Sequence, residues 1–314
     1  MISVVLACHN GTKYIKKQLQ SIAAQTLLPD EVIICDDCST DTTVELCREF
    51  IEQNNLKGWH VFENEKNLGF CLNFFSAIEK AQGDIIFLCD QDDIWLPDKC
   101  EVMVAAMKAH PDILSLACRY DIIDGEDNML PRSSVRYAEF DETVEFSDIT
   151  PQSLVGCSYV RGFSMCFSAK IKENLKPLEL KDLLAHDWLI NFVAALQGRA
   201  AFINKVLTKY RSHGNNASLS AKRSMRRRVD GLAQSVTAHE YLLGLNLPNM
   251  TEKLKKSINN QIRFEKLRLK LLREHNILRW LQLGAFLPRY ALYYKQALSG
   301  LRVWLGDLAY VIKY

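Results

Sequence analysis

The chain has 314 residues, 48% of them hydrophobic, 10% aromatic and 24% charged, a globular composition that excludes collagen-like, low-complexity and bare coiled-coil chains. Its formal net charge of +2 hides an asymmetry: from Lys205 onward 21 Lys and Arg stand against 6 Asp and Glu, which leaves 18 against 31 in front. An acidic body suits metal or hydroxyl chemistry, and a basic tail suits an anionic surface. The opening MISVVLACHN has no basic region and no small-residue cleavage site, so it reads as a strand rather than a signal peptide.

Apolar runs then alternate with helical spacing. Ile2–Ala7 reads as a buried strand, and Ile15, Leu19, Ile22 and Ala23 mark a helix face. Glu31–Asp36 is a second strand, followed by a helix face at Val44, Cys47 and Ile51. Trp59–Phe62 is a short strand, Leu72–Ala81 a helix, and Asp84–Cys89 a strand; Pro97 then occupies the first turn of a helix through Met107. Leu114–Tyr120 is strand-like, Asp121–Pro151 a polar mobile loop, Ser158–Ala169 further strand, Leu183–Leu196 a helix and Ala200–Tyr210 a strand. Arg211–Ala221 is a loop, and the pattern is helical from Lys222 to the end. This order predicts an α/β fold, a mostly parallel sheet between helices, with ligands beyond the carboxyl ends of the strands. No apolar run reaches the roughly 18 residues of a membrane span. All ten cysteines fall between Cys8 and Cys166, scattered as buried thiols of a reducing cytoplasm are. Cys35 and Cys38 have the spacing of a redox or zinc pair, without a second pair to complete it.

Acidic residues gather where chemistry is expected: Asp36-Asp37 after strand two, Asp90-Gln91-Asp92-Asp93 after the apolar DIIFL, and His186-Asp187-Trp188 at a helix start. Each alone also fits helix capping. Together they carry more. Asp90 and Asp92 are two apart at a strand end, where a period of two points both side chains the same way. Paired carboxylates call for a cation such as Mg²⁺ or Mn²⁺, which completes its shell with diphosphate oxygens and water. Neither GxxxxGK[ST] nor GxGxxG is present, so no glycine loop cradles phosphate. A metal-neutralised diphosphate points to nucleotide-sugar chemistry.

The runs VVLACHNG (4–11), DDCSTD (36–41), NLGF with Asn73, and GDIIFLCDQDDIWLPDK (83–99) resemble an inverting family 2 glycosyltransferase of the GT-A fold, the nucleotide-diphospho-sugar transferase fold. HDW (186–188) and YRSHGNNA (210–217) are similar to the rhamnosyltransferase-like branch, which builds bacterial surface polysaccharides. Cys38 in place of the usual glycine and His9 in place of a common tyrosine depart from the pattern near the base. The resemblance implies a catalytic domain over 1–217 and a donor site for a dTDP- or UDP-sugar. In it Asp37 accepts the N3–H of uracil or thymine over a floor of Ala7, His9 and Asn10; Asn67, Asp90 and Arg211 complete the nucleotide side, Arg211 toward a phosphate. Asp92 and His213 coordinate Mn²⁺ or Mg²⁺, and Gly214 with its asparagines forms a loop closing over the donor. Asp187 is the base that inverting transfer requires. Asp93, Arg161, His186 and Trp188 stand as donor or acceptor contacts, with a structural role equally open for His186 and a helix cap for Asp93.

Residues 218–314 read as a basic amphipathic helical extension: Lys222-Arg223 and Arg226–Arg228, then Trp280, Phe286, Tyr290, Tyr293, Tyr294, Trp304, Tyr310 and Tyr314 among spaced polar residues. That pattern fits either a helix in a membrane interface or a helical subdomain packed on the body or on a second subunit as a homo-oligomer. A lipid-linked glycan acceptor and a peripheral place on the cytoplasmic face of the membrane follow from the first. Nucleic acid is an unsuitable partner, because three acidic sites would repel its phosphates. The other enzyme-class reading is a sugar-nucleotide-binding or nucleotidyltransferase-like protein of the same fold without glycosyl transfer. Its usual glycine- and lysine-rich loop is here the poorer ACHNGTKY.

Overall fold

The computed structural model describes residues 1–131, 143–156, 160–175, 185–213, 225–245, 247–294 and 297–313. These divide into two compact units: a first from the described residues of Met1–Thr150, Tyr159–Lys181 and Ala185–Ser220, and a second from those of Pro151–Ser158, Asp182–Leu184 and Ala221–Tyr314.

The first unit alternates β1 (Ile2–Cys8), α1 (Ile15–Ala23), β2 (Glu31–Asp36), α2 (Thr43–Gln53), β3 (Trp59–Glu63), α3 (Phe70–Lys80), β4 (Ile85–Asp90), β5 (Ile94–Trp95), α4 (Lys99–Ala109) and β6 (Ile113–Ile123). Next come β7 (Met129–Leu130), β8 (Phe146–Asp148), β9 (Met165–Ser168), α6 (His186–Gln197) and β10 (Arg199–Arg211), with α5 (Pro151–Leu154) between β8 and β9 belonging to the second unit. Strands run in the order β3-β2-β1-β4-β9-β6-β10-β5. β1, β2, β3 and β4 are parallel; β1, β2 and β4 are buried along most of their length, as their apolar runs predict for strands covered on both faces, whereas β3 is half-buried to exposed after Trp59. Val4, Leu6, Val32, Ile34 and Phe87 of these strands are fully buried, and Ile15, Leu19 and Ile22 of α1 close over them. Each such side chain contributes roughly 1.5–3 kcal/mol over its exposed state.

The other half of the sheet keeps one long parallel pair, β6 with β10, within the expected α/β array. β9 pairs antiparallel with both β4 and β6, so the sheet is mixed. Among the described residues of the expected strand Ser158–Ala169, only Met165–Ser168 form a strand, preceded by a 3₁₀ turn at Gly162–Ser164. The expected loop Asp121–Pro151 is partly sheet: β6 runs on to Ile123 because β10 pairs with it as far as Arg211, β7 folds back on β6, and β8 pairs β10. Residues 132–142 of it lie outside the described residues. Pro97 precedes the N-cap Asp98 rather than opening the helix, which starts at Lys99.

The second unit holds α5, α7 (Met225–Gly244), α8 (Glu252–Glu274), α9 (Ile277–Gly284), α10 (Leu287–Tyr294) and α11 (Ala297–Lys313). α8 starts where the Thr251 hydroxyl accepts the Leu254 N–H at 3.2 Å and ends at His275 in the left-handed region. Phe264, Leu271, Leu283, Tyr290 and Val311 form its apolar centre. Beside them Arg268 Nε and Nη2 donate to the two oxygens of buried Asp307 at 2.7 and 3.1 Å, and the Tyr290 hydroxyl donates to the same carboxylate at 2.7 Å. Lys222 and Arg223 lie outside the described residues, and only the backbone of Arg226, Arg227, Tyr293 and Tyr294 is described.

Candidate active site

The parallel strands deliver their carboxyl ends to one edge, and the polar clusters sit there. β1 leads into half-buried Ala7 and exposed His9 and Asn10. Asn10 takes a positive φ of 50°, which asparagine tolerates better than most residues. Its Oδ1 accepts the Thr40 N–H at 2.8 Å, and its own N–H donates to Ser39 Oγ at 2.8 Å. His9 Nδ1 lies 2.8 Å from the Asp37 carbonyl. The Gln91 amide ties this loop to the end of β4: Oε1 accepts the His9 N–H at 2.8 Å and Nε2 donates to the His9 carbonyl at 3.1 Å. A Cβ at Gly11 would run into the same amide.

Asp37 is placed otherwise than the sequence suggested. It is 2% exposed; Oδ1 accepts from Asn64 Nδ2 at 2.9 Å and from the Leu68 N–H at 2.7 Å, while Oδ2 accepts from the Gly69 N–H at 2.8 Å. Both oxygens are engaged by the 64–69 loop, so the carboxylate anchors that loop instead of presenting an open acceptor to a base. Exposed Asn67 extends the anchor, its Nδ2 donating to the Asp37 carbonyl at 3.0 Å.

The strand period does not govern the next cluster, because β4 ends at Asp90 and the chain turns at Gln91 and Asp92. The side chains gather all the same. Burial pushes the Asp90 carboxyl up to about 7, the negative charges of Asp92 and Asp187 push it the same way, and Arg161 and Lys99 oppose them. Arg161 also hydrogen-bonds the Tyr120 side chain. Asp187 lies in the first turn of α6, where a negative charge meets the positive end of the helix. Its Oδ1 accepts the Trp188 N–H at 2.7 Å and its Oδ2 the Gly162 N–H at 3.1 Å. Asp90, Asp92, Arg161 and Asp187, assembled from β4, the turn after it, the 3₁₀ turn and α6, thus share one electrostatic neighbourhood.

His213 and Asp92, 121 residues apart, meet: Nε2 and Oδ2 are 2.7 Å apart, with the imidazole 4.9 Å from the Tyr14 ring between centroids. Among the described residues no group of three or more His, Cys, Asp or Glu is arranged to hold a metal ion. Two protein donors, one imidazole and one carboxylate, beside a second carboxylate disfavoured as an anion, fit a divalent ion whose remaining positions go to substrate oxygens and water. The expected closing loop, Gly214 with Asn215 and Asn216, lies outside the described residues.

Further expectations are corrected at Arg211, Asp93, His186 and Trp188. Arg211 is fully buried: Nε donates to the Asp92 carbonyl at 2.7 Å, Nη1 donates to the Asp124 carbonyl at 3.0 Å and pairs with Asp127, and the guanidinium covers the Tyr14 ring at 4.6 Å. It braces the DQDD turn against the 124–127 turn and is sealed from a phosphate. Its backbone N–H donates to Asp93 Oδ1 at 2.9 Å, so buried Asp93 ties that turn to β10 and caps no helix. His186 is buried and stacked on Phe74 at 4.0 Å, and burial drives its pKa down to about 4. With neither ring nitrogen hydrogen-bonded among the described residues, it neither orients Asp187 nor reaches a donor. Trp188 is buried as well, edge-on to Phe192 at 5.3 Å.

Sequence reasoning left Gln91 and Lys99 without roles. Lys99 is fully buried, its Nζ donating to the Phe163 carbonyl at 2.7 Å and lying 3.9 Å from the Trp95 ring centre. This ammonium is the interior counter-charge to Asp90 and Asp93. A charged residue at a helix start gives no signal that it points inward; Gln91, between two acids already singled out, was the more readable of the two.

Comparison with known proteins agrees with this geometry. The dTDP-rhamnosyl transferase RfbG of Shigella flexneri is 27% identical over 235 residues, spanning 71% of this chain and 77% of that one. Among solved structures, S. aureus TarS 1–349 in complex with UDP-GlcNAc superposes with a TM-score of 0.63 at 19% identity, over 99% of this chain and 90% of that one. The mannosyltransferase PcManGT from Pyrobaculum calidifontis in complex with GDP-Man and Mn²⁺ gives 0.57 at 19% identity, over 99% and 84%. At such identities the likeness is one of fold, the GT-A fold the sequence motifs implied. The family model described as Glycosyl transferase family 2 matches residues 3–169, more than half of the chain, and the chain belongs to that family.

Proposed function

We propose that the protein transfers a sugar, with inversion, from a nucleoside diphosphate to a hydroxyl of a bacterial surface polysaccharide or lipid-linked glycan. The observation that carries this reading is the convergence of Asp187 with Asp90 and the Asp92–His213 pair at one edge of the sheet. Asp187 takes the proton of the acceptor hydroxyl as that oxygen bonds to the anomeric carbon and the bond to the diphosphate breaks. The Gly162 N–H and the helix end hold the carboxylate in place. Asp92 and His213 are the residues that would hold Mn²⁺ or Mg²⁺, whose chemistry here is Lewis-acid stabilisation of the departing nucleoside diphosphate. With Asp37 and Arg211 committed elsewhere, contacts to the base fall to the exposed rim of His9, Asn10 and Asn67. Among donors dTDP-rhamnose leads and a UDP-hexose follows; RfbG and the HDW and YRSHGNNA runs support that order.

A thermal-shift series with UDP, dTDP, GDP and CMP, each with and without Mn²⁺, tests the donor site. A ligand at 100 times its Kd adds about 2.7 kcal/mol of stability, and one pyrimidine diphosphate should give that shift only with metal. Asp92→Ala and His213→Ala are expected to lose the metal-dependent part, whereas Asp187→Ala keeps it and loses transfer. Turnover by Asp187→Ala would reassign the base.

A further inference from the structure

Four of the aromatic residues that make the C-terminal helices resemble a membrane-interface segment pack on one another or on the apolar centre of the unit. Tyr290 is fully buried, Phe286 packs on the same apolar centre, and Trp280 and Trp304 stack at 4.1 Å with the Trp280 indole N–H donating to the Trp304 carbonyl at 2.8 Å. The residues left outside are aliphatic. α9 leaves Ile277, Leu278 and Leu281 between 51 and 65% exposed, and α11 leaves Leu301, Leu305 and Ile312 between 41 and 71% exposed. At about 100° per residue the three on α11 fall within an arc of about 40°, with half-buried Leu308 at its margin. Buried Asp307 lies about 140° from the middle of the stripe, and buried Val311 about 100° from it on the flank away from Arg302 and Lys313. Exposed Arg302 and Lys313 both lie on one shoulder of the stripe. The stacked tryptophans join α9 to α11, so the two aliphatic faces belong to one helical pair.

A row of exposed Leu and Ile on paired helices is a surface made to be covered, and charge identifies its cover. Residues 221–314 carry 18 Lys and Arg against 6 Asp and Glu. The buried Arg268–Asp307 pair removes one charge of each sign and leaves that excess unchanged. A second copy of the same unit would bring like charge to like. An anionic lipid surface offers the opposite charge together with an acyl boundary for the aliphatic stripe. Among the described residues no helix is long and apolar enough to cross a membrane, so seating is in the plane of the interface.

We propose that α9 and α11 form a lipid-docking face, placing Leu278, Leu281, Leu301, Leu305 and Ile312 at the headgroup–acyl boundary of an anionic bilayer, with Arg302 and Lys313 on the headgroups. The test is co-sedimentation of the full chain with vesicles of phosphatidylcholine alone or with 30 mol% phosphatidylglycerol. Binding is expected to the anionic vesicles, to weaken as NaCl is raised, and to fall at least tenfold in Leu305→Gln/Ile312→Gln. Circular dichroism and the thermal midpoint of that variant should match those of the unaltered chain, since both side chains already face solvent. Arg302→Glu/Lys313→Glu should lose the preference for anionic over neutral vesicles. Failure of the unaltered chain to bind anionic vesicles overturns the proposal, as does undiminished binding by the leucine–isoleucine variant. A dimer in sedimentation equilibrium that Leu305→Gln/Ile312→Gln dissociates would overturn it too, assigning the stripe to a second copy. None of these readouts depends on sugar transfer.

Discussion

Arg211 shows how a side chain's chemistry is decided by what stands around it. An arginine after a strand, two residues before the histidine proposed to bind metal, has the identity and the place of a phosphate contact. Here it is enclosed, with the carbonyls of Asp92 and Asp124, the Asp127 carboxylate and the Tyr14 ring as its partners. Arg211→Ala is therefore expected to cost about 3 kcal/mol in urea unfolding, chiefly from two carbonyls left without donors; the half-exposed Asp127 pair contributes little beyond that. A phosphate contact would behave the other way, with unchanged stability and weakened nucleotide binding. Asp37 and His186 follow the same pattern. Their acids and rings are legible in the sequence, but their partners come from elsewhere: Asn64, Leu68 and Gly69 for one, Phe74 for the other. The Asp92–His213 pair was reached through family resemblance, since a spacing of 121 residues carries no local signal.

At the scale of elements, β1, β2 and β4 were readable because a strand buried on both faces needs a nearly unbroken apolar run. β9 was not, because four residues between 3₁₀ turns have too little pattern to reveal length or direction. Yet β9 and the turn before it matter to the chemistry, since that turn supplies the Gly162 N–H held by Asp187. It also packs closely on the start of α6: a Cβ at Gly162 would stand 2.7 Å from His186 Nε2. The ring cannot swing away readily, being stacked on Phe74. Gly162→Ala should therefore displace the first turn of α6, costing about 1–3 kcal/mol as overpacking does. It should lower transfer while the metal-dependent nucleotide shift persists, because Asp92 and His213 stand on other elements. Equal stability of Gly162→Ala and the unaltered chain in thermal unfolding would show that the turn gives way without moving the helix.

The two units of the molecule store their polar groups differently, and acid should separate them. In the first unit burial lowers His186 from 6.5 to about 4. Folding then excludes a proton that the unfolded chain binds, so the contribution of this group falls as pH drops below 6.5, by about 1.4 kcal/mol per unit until about pH 4. The raised carboxyls of Asp90 and Asp93 contribute with the opposite sign, by taking up protons in the folded chain. In the second unit burial raises Glu265, but hydrogen bonds from His239, Gln261 and Ser235 outweigh it and hold the carboxyl below its usual 4.5. Its contribution is present above pH 4.5 and is lost as pH falls through that value toward the folded pKa. Between pH 6.5 and 4.5, then, the His186 part is read against His186→Gln: as pH falls, protection of amides from hydrogen exchange in β1, β4 and α6 should drop relative to that variant, while α7 and α8 of the two chains stay alike. Glu265→Gln should flatten the loss that the second unit shows only below pH 4.5. A constant difference between the unaltered chain and His186→Gln over that range would mean that His186 does not set this pH dependence. The charge asymmetry between front and tail was plain in the composition. Which members of each set are buried, and so which unit yields first to acid, depends on partners such as Phe74 and Ser235 that only the folded chain brings together.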